Sequence, residues 1–217
     1  MNVLIVTAHP ASHGFTHKIA NRYKQEKEKQ GDTVFLMDLY KKKYLQPFLC
    51  YEDIKKDCKP GISHKIIQDK ILWADEIVFV FPVWWFGPPA ILKNFLDQNF
   101  TSGFAYKYNK NGVRRELLEG RTARIFATAD GSRFVYFLFS IAASVRWRVG
   151  VLGFCGIELK SLDLFAEMYK RKGEYTRERM LNRVAERARA HAPMKKLKKK
   201  SQATKTAARK RKSAGPK

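Results

Sequence analysis

Apolar runs of strand length alternate along the chain with longer stretches in which apolar and polar residues follow a helical period. Five runs lack the polar alternation of a half-exposed strand and so predict buried strands, at residues 2–7, 33–39, 76–81, 122–128 and 157–164. The amphipathic stretches predict helices, at residues 15–30, 65–73, 89–98, 134–149 and 176–192. This alternation predicts βαβ crossovers, and therefore a doubly wound α/β sheet of five parallel strands with helices on both faces.

A chain of 217 residues is long enough for one domain with a substantial core. We place that domain at residues 1–192. Residues 193–217 carry almost no large apolar side chains, so they cannot bury enough surface to offset their ordering entropy and are predicted to be disordered. Two internal stretches, 40–61 and 103–120, follow neither period. We interpret them as long surface loops, a class that often carries function.

The net charge of +23 predicts an acidic partner, such as nucleic acid, an anionic membrane surface or a phosphorylated ligand. Eleven of the positive charges lie in the tail from Lys195 onward, which has no acidic residue, and the body keeps a net charge of +12. The tail could contact polyanions without sequence preference. The simpler interpretation is a solvated, like-charged tail without a specific partner.

Cysteine content and the apolar segments bear on the compartment. The three cysteines match neither a disulfide framework nor a zinc pattern, which favours a reducing, cytoplasmic location. The N-terminal residues lack the features of a signal peptide. The most apolar stretch, residues 134–145, ends at Arg146 after 12 residues. It is too short to span a bilayer and predicts a buried helix rather than a transmembrane segment.

Three predicted loops should meet at the carboxyl ends of the strands, where doubly wound sheets bind their ligands. The first, residues 8–16, joins a buried strand to a helix N-terminus, where backbone N–H groups and the helix dipole favour an anion. His9, Ser12, His13 and Thr16 can add further donors. The loop predicts either a phosphate site or an ordinary strand–helix turn with a Ser or Gly cap.

The second loop, at residues 81–93, leads from a buried strand into two tryptophans, a phenylalanine and a glycine flanked by prolines. Its rings could form one wall of a pocket for a flat ligand. The backbone of Trp85, Phe86 and Gly87 could hydrogen-bond the polar edge of such a ligand. Judged by their size alone, Trp84 and Trp85 fit core or interface positions better than the wall of a ligand pocket.

The second loop also carries a family resemblance. Its run Phe-Pro-x-x-Trp-Phe-Gly-x-Pro-Ala-Ile-Leu-Lys resembles the NAD(P)H:quinone reductases of the DT-diaphorase type, which have a flavodoxin-like fold. Residues 103–108, Gly-Phe-Ala-Tyr-x-Tyr, and residues 154–156, Phe-Cys-Gly, resemble two further segments of that family, and His9 and Phe15 match its first loop. The matches are collinear over about residues 1–190, and the combination is more specific than each short motif.

The resemblance implies a flavin cofactor, with FAD favoured and FMN the alternative, and NAD(P)H as co-substrate. His9, Phe15 and Thr16 would contact the phosphate or ribityl part of the flavin. The isoalloxazine ring would lie against the second loop, whose implied cofactor-binding residues are Pro82, Val83, Trp84, Trp85, Phe86 and Gly87. The third loop would contribute Thr128, Ala129, Asp130 and Gly131.

The resemblance also implies the catalytic residues and the assembly. Tyr106 and Tyr108 would line the acceptor pocket across a homodimer interface. Tyr136 is the candidate proton donor, although Val135 falls at the position that aligns better with the family's tyrosine, and no histidine matches the family's catalytic one. No metal is implied.

The third loop departs from the family, which commonly has Thr-Thr-Gly-Gly where this chain has Thr128-Ala129-Asp130-Gly131. Glycines permit close backbone approach and positive φ, and Ala129 and Asp130 narrow that freedom. Asp130 also places negative charge near a ring whose reduced form is anionic. The first loop departs from the family as well, because the family has Asn at the position of Thr16. Flavin binding is therefore indicated more strongly than fast turnover.

The function implied is hydride transfer from NAD(P)H to quinone-type acceptors by ping-pong exchange at one site, because the flavin carries the chemistry and the two substrates share its face. Two other functions stay open. One is a flavin-binding regulatory or accessory subunit with weak reductase activity, which the altered third loop keeps open. The other is a nucleic-acid-associated protein, which the basic tail suggests.

Overall fold

Five parallel strands form the central sheet in the order β2-β1-β3-β6-β7 in a computed structural model that describes residues 1–49, 62–168 and 174–190. The strands are β1 (Asn2–Thr7), β2 (Thr33–Asp38), β3 (Glu76–Pro82), β6 (Thr122–Thr128) and β7 (Glu158–Phe165). The helices are α1 (Phe15–Lys29), α2 (Ile62–Trp73), α3 (Ala90–Asn99), α4 (Arg133–Val145) and α5 (Glu174–Arg189). The predicted flavodoxin-like doubly wound sheet is confirmed.

Burial along the strands follows their place in the sheet. The central strands β1, β3 and β6 are almost continuously buried, which explains their unbroken apolar runs. The edge strands β2 and β7 carry half-exposed residues, and β7 alternates strictly between buried and more exposed positions. The sheet therefore leaves one side chain row of β7 open at its edge.

Two apolar clusters cover the two faces of the sheet. On one face Val3, Ile5 and Phe126 pack with Ile19 of α1 and Val184 of α5. On the other face the strands pack against α2 and α3, and against a segment that follows α4; representative members are Leu4, Phe79, Ile71, Phe95 and Trp147. Helices therefore lie on both faces, as predicted.

The stretch 103–120 is not the irregular loop that the sequence predicts. It contains an antiparallel hairpin of β4 (Tyr106–Tyr108) and β5 (Arg114–Glu116), separate from the main sheet. Asn109 closes the turn, since its side-chain oxygen accepts hydrogen bonds from the backbone N–H groups of Asn111 and Val113, each at 2.9 Å. Strands of three residues leave too short an alternation to be recognised in sequence. In the other predicted loop, residues 42–44 form a 3-10 turn, and residues 50–61 lie outside the described part.

The sequence predicts that residues 134–145 form a buried helix. Within a single chain this prediction is wrong. α4 exposes a row of apolar side chains, with Phe134 at 73% exposure. The other exposed members of this row are Phe137, Ile141 and Val145. The helix packs along edge strand β7, so much of its surface meets no other element of the described chain.

The helix continues beyond α4 through a π-helical segment, Arg146–Leu152, and a 3-10 turn, Gly153–Cys155. By length and hydropathy alone, the 22 residues Phe134–Cys155 could cross a membrane. Trp147 and Leu152, however, are buried in the domain core, where the Trp147 ring lies 5.3 Å from that of Phe79. The second half of the segment is thus part of the folded domain.

Candidate functional site

The strand order places a switch point between β1 and β3, because the chain runs from β1 outward to β2 and then returns to the other side of β1. The loops after β1, β3 and β6 meet there, as the sequence predicts. Backbone hydrogen bonds join them: Ala8 N–H donates to the Val80 carbonyl at 3.0 Å, and Val83 N–H donates to the Thr128 carbonyl at 2.7 Å. The three loops therefore form one connected rim.

The first loop ends at a helix N-terminus that suits an anion. Gly14 precedes α1 with a φ of 140°, no side chain caps the helix, and no acidic residue stands in its first turn. The Nδ1 atom of His9 accepts a hydrogen bond from the Ala11 N–H at 3.1 Å. In a neutral ring the proton must then lie on Nε2, which can donate to a ligand. Thr16 is buried and Phe15 is half-buried at the start of the helix.

The second loop is a tight turn with an unusual backbone. Trp84 and Gly87 exchange two backbone hydrogen bonds of 2.9 Å, and the two residues between them, Trp85 and Phe86, have φ values of 48° and 58°. Positive φ at both central positions is the type I′ geometry, in which Asn-Gly is favoured and bulky residues are strained. Such strain persists where the surroundings enforce it, and it concentrates at functional sites.

The strained turn exposes its aromatic rings. Trp85 is 99% exposed, and the side chains of Trp84 and Phe86 are each close to half exposed. Core placement of the two tryptophans is therefore excluded. A large apolar surface held in the open on a strained backbone is expected of a residue that meets a ligand or a second chain.

The third loop is fixed on both sides by backbone bonds. Ala129 is buried, its N–H donates to the Phe165 carbonyl at 2.9 Å, and its carbonyl accepts from the Met168 N–H at 3.0 Å. Asp130 is exposed. Asp130 does not cap the next helix, because Ser132 is the N-cap residue of α4 and its hydroxyl accepts a hydrogen bond from the Val135 N–H at 3.4 Å.

Tyr136 joins the third loop to the second. A Cβ atom added to Gly131 would lie 2.4 Å from the Tyr136 ring, so the ring covers this glycine. The centroid of that ring also lies 5.5 Å from that of Phe86. Both rings border a cavity of about 160 Å³, whose wall includes Gly87 and the aliphatic side chains of β6 and β7. Tyr136 thus stands at the rim formed by the three loops, and Val135 beside it is exposed.

Tyr106 and Tyr108 lie apart from Tyr136. The Tyr106 ring makes an edge-on contact with Phe154 at 4.8 Å, and Tyr108 is exposed on the hairpin. Tyr106 borders a broad groove of about 1,200 Å³ on the other side of the π-helical segment. Within one chain the three predicted catalytic tyrosines therefore do not line one pocket.

Arg146 lies at the candidate site but was not predicted from the sequence. It borders both the cavity beside Phe86 and the groove beside Tyr106, and a guanidinium nitrogen lies 3.9 Å from where a Gly87 Cβ would stand. It supplies a positive charge at the second loop. The sequence carries no local signal for this, since the change from α-helix to π-helix at residue 146 sets the direction of the side chain.

Comparisons with known proteins agree with this arrangement. A family model for the flavodoxin-like fold matches residues 1–192. An uncharacterised NAD(P)H oxidoreductase of Haemophilus influenzae is 38% identical over 175 residues, which cover 78% of this chain and 85% of that protein. A ribosyldihydronicotinamide dehydrogenase (quinone) of Pongo abelii is 29% identical over 184 residues, with 72% and 78% covered.

Solved structures give the same fold. A protein of Streptococcus mutans superimposes with a TM-score of 0.76 at 29% identity, over 87% of this chain and 99% of that one. An FMN-dependent NADH-azoreductase of Bacillus anthracis, solved with FMN, superimposes with a TM-score of 0.66 at 18% identity, over 86% and 97%. At that identity the second likeness concerns the fold.

Proposed function

Because the chain belongs to the flavodoxin-like NAD(P)H quinone oxidoreductase family, we propose that it is a flavin-dependent enzyme that transfers hydride from NAD(P)H to quinone-type acceptors. The observation that carries the proposal is the strained turn at the switch point, with Trp85 and Phe86 at positive φ and their rings exposed. The alternative function, a flavin-binding regulatory or accessory subunit, would use the same flavin site but would have only weak reductase activity.

The residues present fit a flavin. The uncapped N-terminus of α1 and the Nε2 atom of His9 supply donors for a phosphate. The open aromatic turn supplies a surface for a flat ring. We propose FAD, on the resemblance of the first loop. FMN is the alternative, and the FMN-containing structural neighbour supports it.

When bound, the flavin supplies the two-electron hydride chemistry, and the protein supplies binding, orientation and electrostatics. Backbone N–H groups of the second loop would stabilise negative charge at the ring edge, and Arg146 adds a cation beside that loop. Asp130 opposes them with a carboxylate at the third loop. Tyr136, whose ring packs on Gly131 and beside Phe86, is the hydroxyl best placed to hold a proton there.

We further propose that the nicotinamide and the acceptor use one face of the site in turn, which gives ping-pong kinetics. Both substrates would have to meet the flavin ring at the second loop, which supports successive rather than simultaneous occupation. Double-reciprocal plots of initial rate against NAD(P)H concentration, measured at several fixed quinone concentrations, should give parallel lines. Intersecting lines would contradict the shared site.

The site is proposed to be completed by a second copy of the chain, with Tyr106 and Tyr108 facing the flavin of the partner. Two observations support this. These tyrosines do not share a pocket with Tyr136 in one chain, and the apolar row on α4 is more than half exposed. Exposed apolar surface of this extent marks interaction sites.

The dimer proposal is tested by Ile141→Glu, with Ile66→Glu on the exposed side of α2 as the matched control. Light scattering should show a monomer for the first variant and a dimer for the control, because an unpaired carboxylate cannot be buried in an apolar interface. Activity should fall with dimer content. A monomeric native protein would contradict the proposal.

The cofactor and the reaction are tested by the absorbance spectrum of the purified protein and by NAD(P)H oxidation with a simple quinone. We expect flavin bands near their usual positions, and mass spectrometry of the denatured supernatant separates FAD from FMN. Protein that stays colourless after incubation with both flavins would overturn the proposal. Flavin without turnover would favour the accessory-subunit alternative.

The basic tail suggests a second, separate property. We propose that residues 195–217, with 11 positive charges, give salt-sensitive contact with polyanions. Deletion of the tail should lower the salt concentration at which the protein elutes from heparin and leave reductase activity unchanged, because the body keeps a net charge of +12. We also propose a cytoplasmic location for the enzyme, where its cysteines would stay reduced.

A further inference from the structure

A second cleft opens beside the candidate site, at the edge of the sheet. It has a volume of about 480 Å³ and lies between α4 and α5 along edge strand β7. Its floor is apolar, with Leu162, Leu164 and Phe165 from the strand and Met180 from α5. This volume falls within the range typical of small-molecule sites.

The cleft adjoins the cavity at the second loop. Tyr136 and Ser140 of α4, and Leu162 and Leu164 of β7, line both. A molecule that occupies the cavity beside Phe86 could therefore extend along β7 into the cleft. A dinucleotide has this extended form, with a planar group at each end.

The far wall of the cleft is positively charged. Arg179 and Arg183, one turn apart on α5, both line it. Within the described part of the chain Arg179 forms no ion pair. Glu186 does not line the cleft; it borders an adjoining pocket with Arg187, which Arg179 and Arg183 also line.

A buried carboxylate holds Arg183 in place. Asp163, whose side chain is fully buried, accepts a hydrogen bond from Arg183 Nε at 2.7 Å and from Arg187 Nε at 3.0 Å. The bond from Nε leaves the two terminal nitrogens of Arg183 available as donors. A guanidinium that is oriented in advance loses less entropy when it binds a planar anion.

These features together select a phosphorylated adenosine. The apolar floor suits a purine ring, and a pair of arginines suits a phosphate, which guanidinium groups bind through paired hydrogen bonds. In dinucleotide enzymes an arginine often accommodates the 2′-phosphate of NADPH. NADH would place an uncharged hydroxyl against the same arginines.

We propose that Arg179 and Arg183 bind the 2′-phosphate of NADPH in the cleft between α4 and α5, and so make this enzyme prefer NADPH to NADH. The inference rests on the proposed function for the catalytic consequence, but the subsite itself can be measured without turnover. Asp163 is a positioning residue for Arg183.

The test begins with direct binding to the purified full-length protein with its cofactor. Calorimetry with adenosine 2′,5′-bisphosphate and with 5′-AMP should show the bisphosphate binding about tenfold more tightly, the size expected for one charge-assisted contact. Arg179→Gln and Arg183→Gln should each remove most of that difference. Arg187→Gln is the matched control, because it removes the same charge and an Asp163 ion pair without lining the cleft, and it should keep the difference.

The second step measures KM for NADPH and NADH with one quinone. The two cleft variants should raise KM for NADPH about tenfold and change KM for NADH less than twofold, with kcat unchanged. Equal binding of the two nucleotides to the native protein, or equal loss in the Arg187→Gln control, would overturn the inference. Loss of flavin from the cleft variants with an unchanged NADPH preference would also overturn it, since the arginines would then serve the flavin's own phosphate. Bisphosphate selectivity in a protein without reductase activity would support the subsite and reject the proposed function.

Discussion

At the scale of single residues, the second loop shows the largest conflict between local preference and observed conformation. Trp85 and Phe86 hold adjacent left-handed conformations that glycine or asparagine would adopt more readily. Trp85 gains nothing from burial in the described chain to offset this cost. The conflict is what a site that sacrifices stability for ligand contact would show.

Replacement of Trp85 separates these two effects. Trp85→Gly removes both the ring and the strain, so the free energy of unfolding should rise by about 1 kcal/mol. Trp85→Ala removes the ring but keeps a Cβ atom at positive φ, so stability should change little. Both variants should retain flavin more weakly or raise the acceptor KM, because stacking contributes about 1 kcal/mol. Denaturant unfolding and flavin titration measure the two quantities, and unchanged affinity in both variants would make Trp85 merely structural.

The third loop allows a second test at this scale. Asp130 is exposed and caps no helix, so Asp130→Gly should leave stability nearly unchanged and increase flavin affinity or reductase rate. The physical reason is the removal of repulsion from the anionic reduced ring, about 1 kcal/mol at 4 Å in water. Ala129→Gly should instead lower stability by roughly 0.5–1 kcal/mol without a gain in affinity, because the buried Ala129 backbone is already hydrogen-bonded on both sides. Flavin Kd and melting temperature distinguish the two variants.

At the scale of elements, α4 and the π-helical segment after it connect the features of the site. α4 begins at the Ser132 cap, places Tyr136 against Gly131 and Phe86, and exposes its apolar row. The change to π-helix then turns Trp147 into the core and leaves Arg146 at the second loop. One continuous helical stretch therefore serves the site and, as proposed, the dimer.

Gly131→Ala tests how strongly the loop and the helix depend on each other. The added Cβ would lie 2.4 Å from the Tyr136 ring, so the ring must leave its place beside Phe86. We expect a lower melting temperature and at least a severalfold higher KM for NAD(P)H, since overpacking costs about 1–3 kcal/mol. Gly150→Ala is the control, because nothing stands within 4 Å of its added Cβ. Equal effects of the two changes would show that Tyr136 does not depend on Gly131.

At the scale of the whole molecule, a buried ionic cluster ties the elements together at the end of the sheet opposite the site. Glu76 on β3 accepts hydrogen bonds from Tyr23 of α1 at 2.8 Å and Arg124 of β6 at 2.9 Å, and Lys27 lies 3.6 Å away. Burial and the Glu76 charge raise the pKa of Tyr23 well above its usual range. Arg124 also donates to the Ala190 carbonyl at 2.8 Å, which joins the end of α5 to the sheet.

Glu76→Gln should be strongly destabilising. It leaves the buried Arg124 without its carboxylate, while Lys27 keeps Asp32 at 3.3 Å. Breaking a buried pair in this way costs about 3–5 kcal/mol. Because the cluster lies at the far end of the sheet, the folded fraction should keep its flavin affinity. Urea unfolding followed in parallel with flavin absorbance measures both, and a neutral Glu76→Gln variant would show that the cluster adds no net stability.

Acid should destabilise the fold through carboxylates near that cluster. Burial alone would raise the pKa of Asp32, but the hydrogen bond from the N-terminal ammonium and the charge of Lys27 outweigh it, so the pKa is lowered from 3.8. Hydrogen bonds from Lys29 and Arg189 lower the pKa of Glu26 from 4.5. A folded-state pKa below the unfolded value contributes stability that is present above the ordinary pKa and lost as the pH falls through the lowered one.

The free energy of unfolding should therefore be steady above about pH 5 and fall progressively below pH 4. Asp32→Asn should be less stable at pH 7 and should show a shallower fall below pH 4, since its contribution is already missing. Unfolding curves at several pH values between 2 and 7 measure this. If the free energy of unfolding of the variant falls equally steeply with pH, carboxylates other than Asp32 cause the loss of stability in acid.

The sequence by itself determined the sheet and the position of the site along the chain. Buried parallel strands need continuous apolar runs, and the helices between them need an apolar stripe, so the element order and the three loops at the switch point follow from local pattern. The motif in the second loop carried the family, which the comparisons support.

Tertiary structure decided everything that depends on contacts between distant residues. The hairpin at Tyr106 is too short to show a period, the exposure of α4 depends on what else packs there, and the positive φ of Trp85 contradicts its own local preference. The arginine-walled cleft joins side chains from β7, α4 and α5, which are adjacent in space but separated in sequence. Local pattern records which face of an element is apolar, whereas the partner that covers that face, or leaves it open, is fixed when the elements pack.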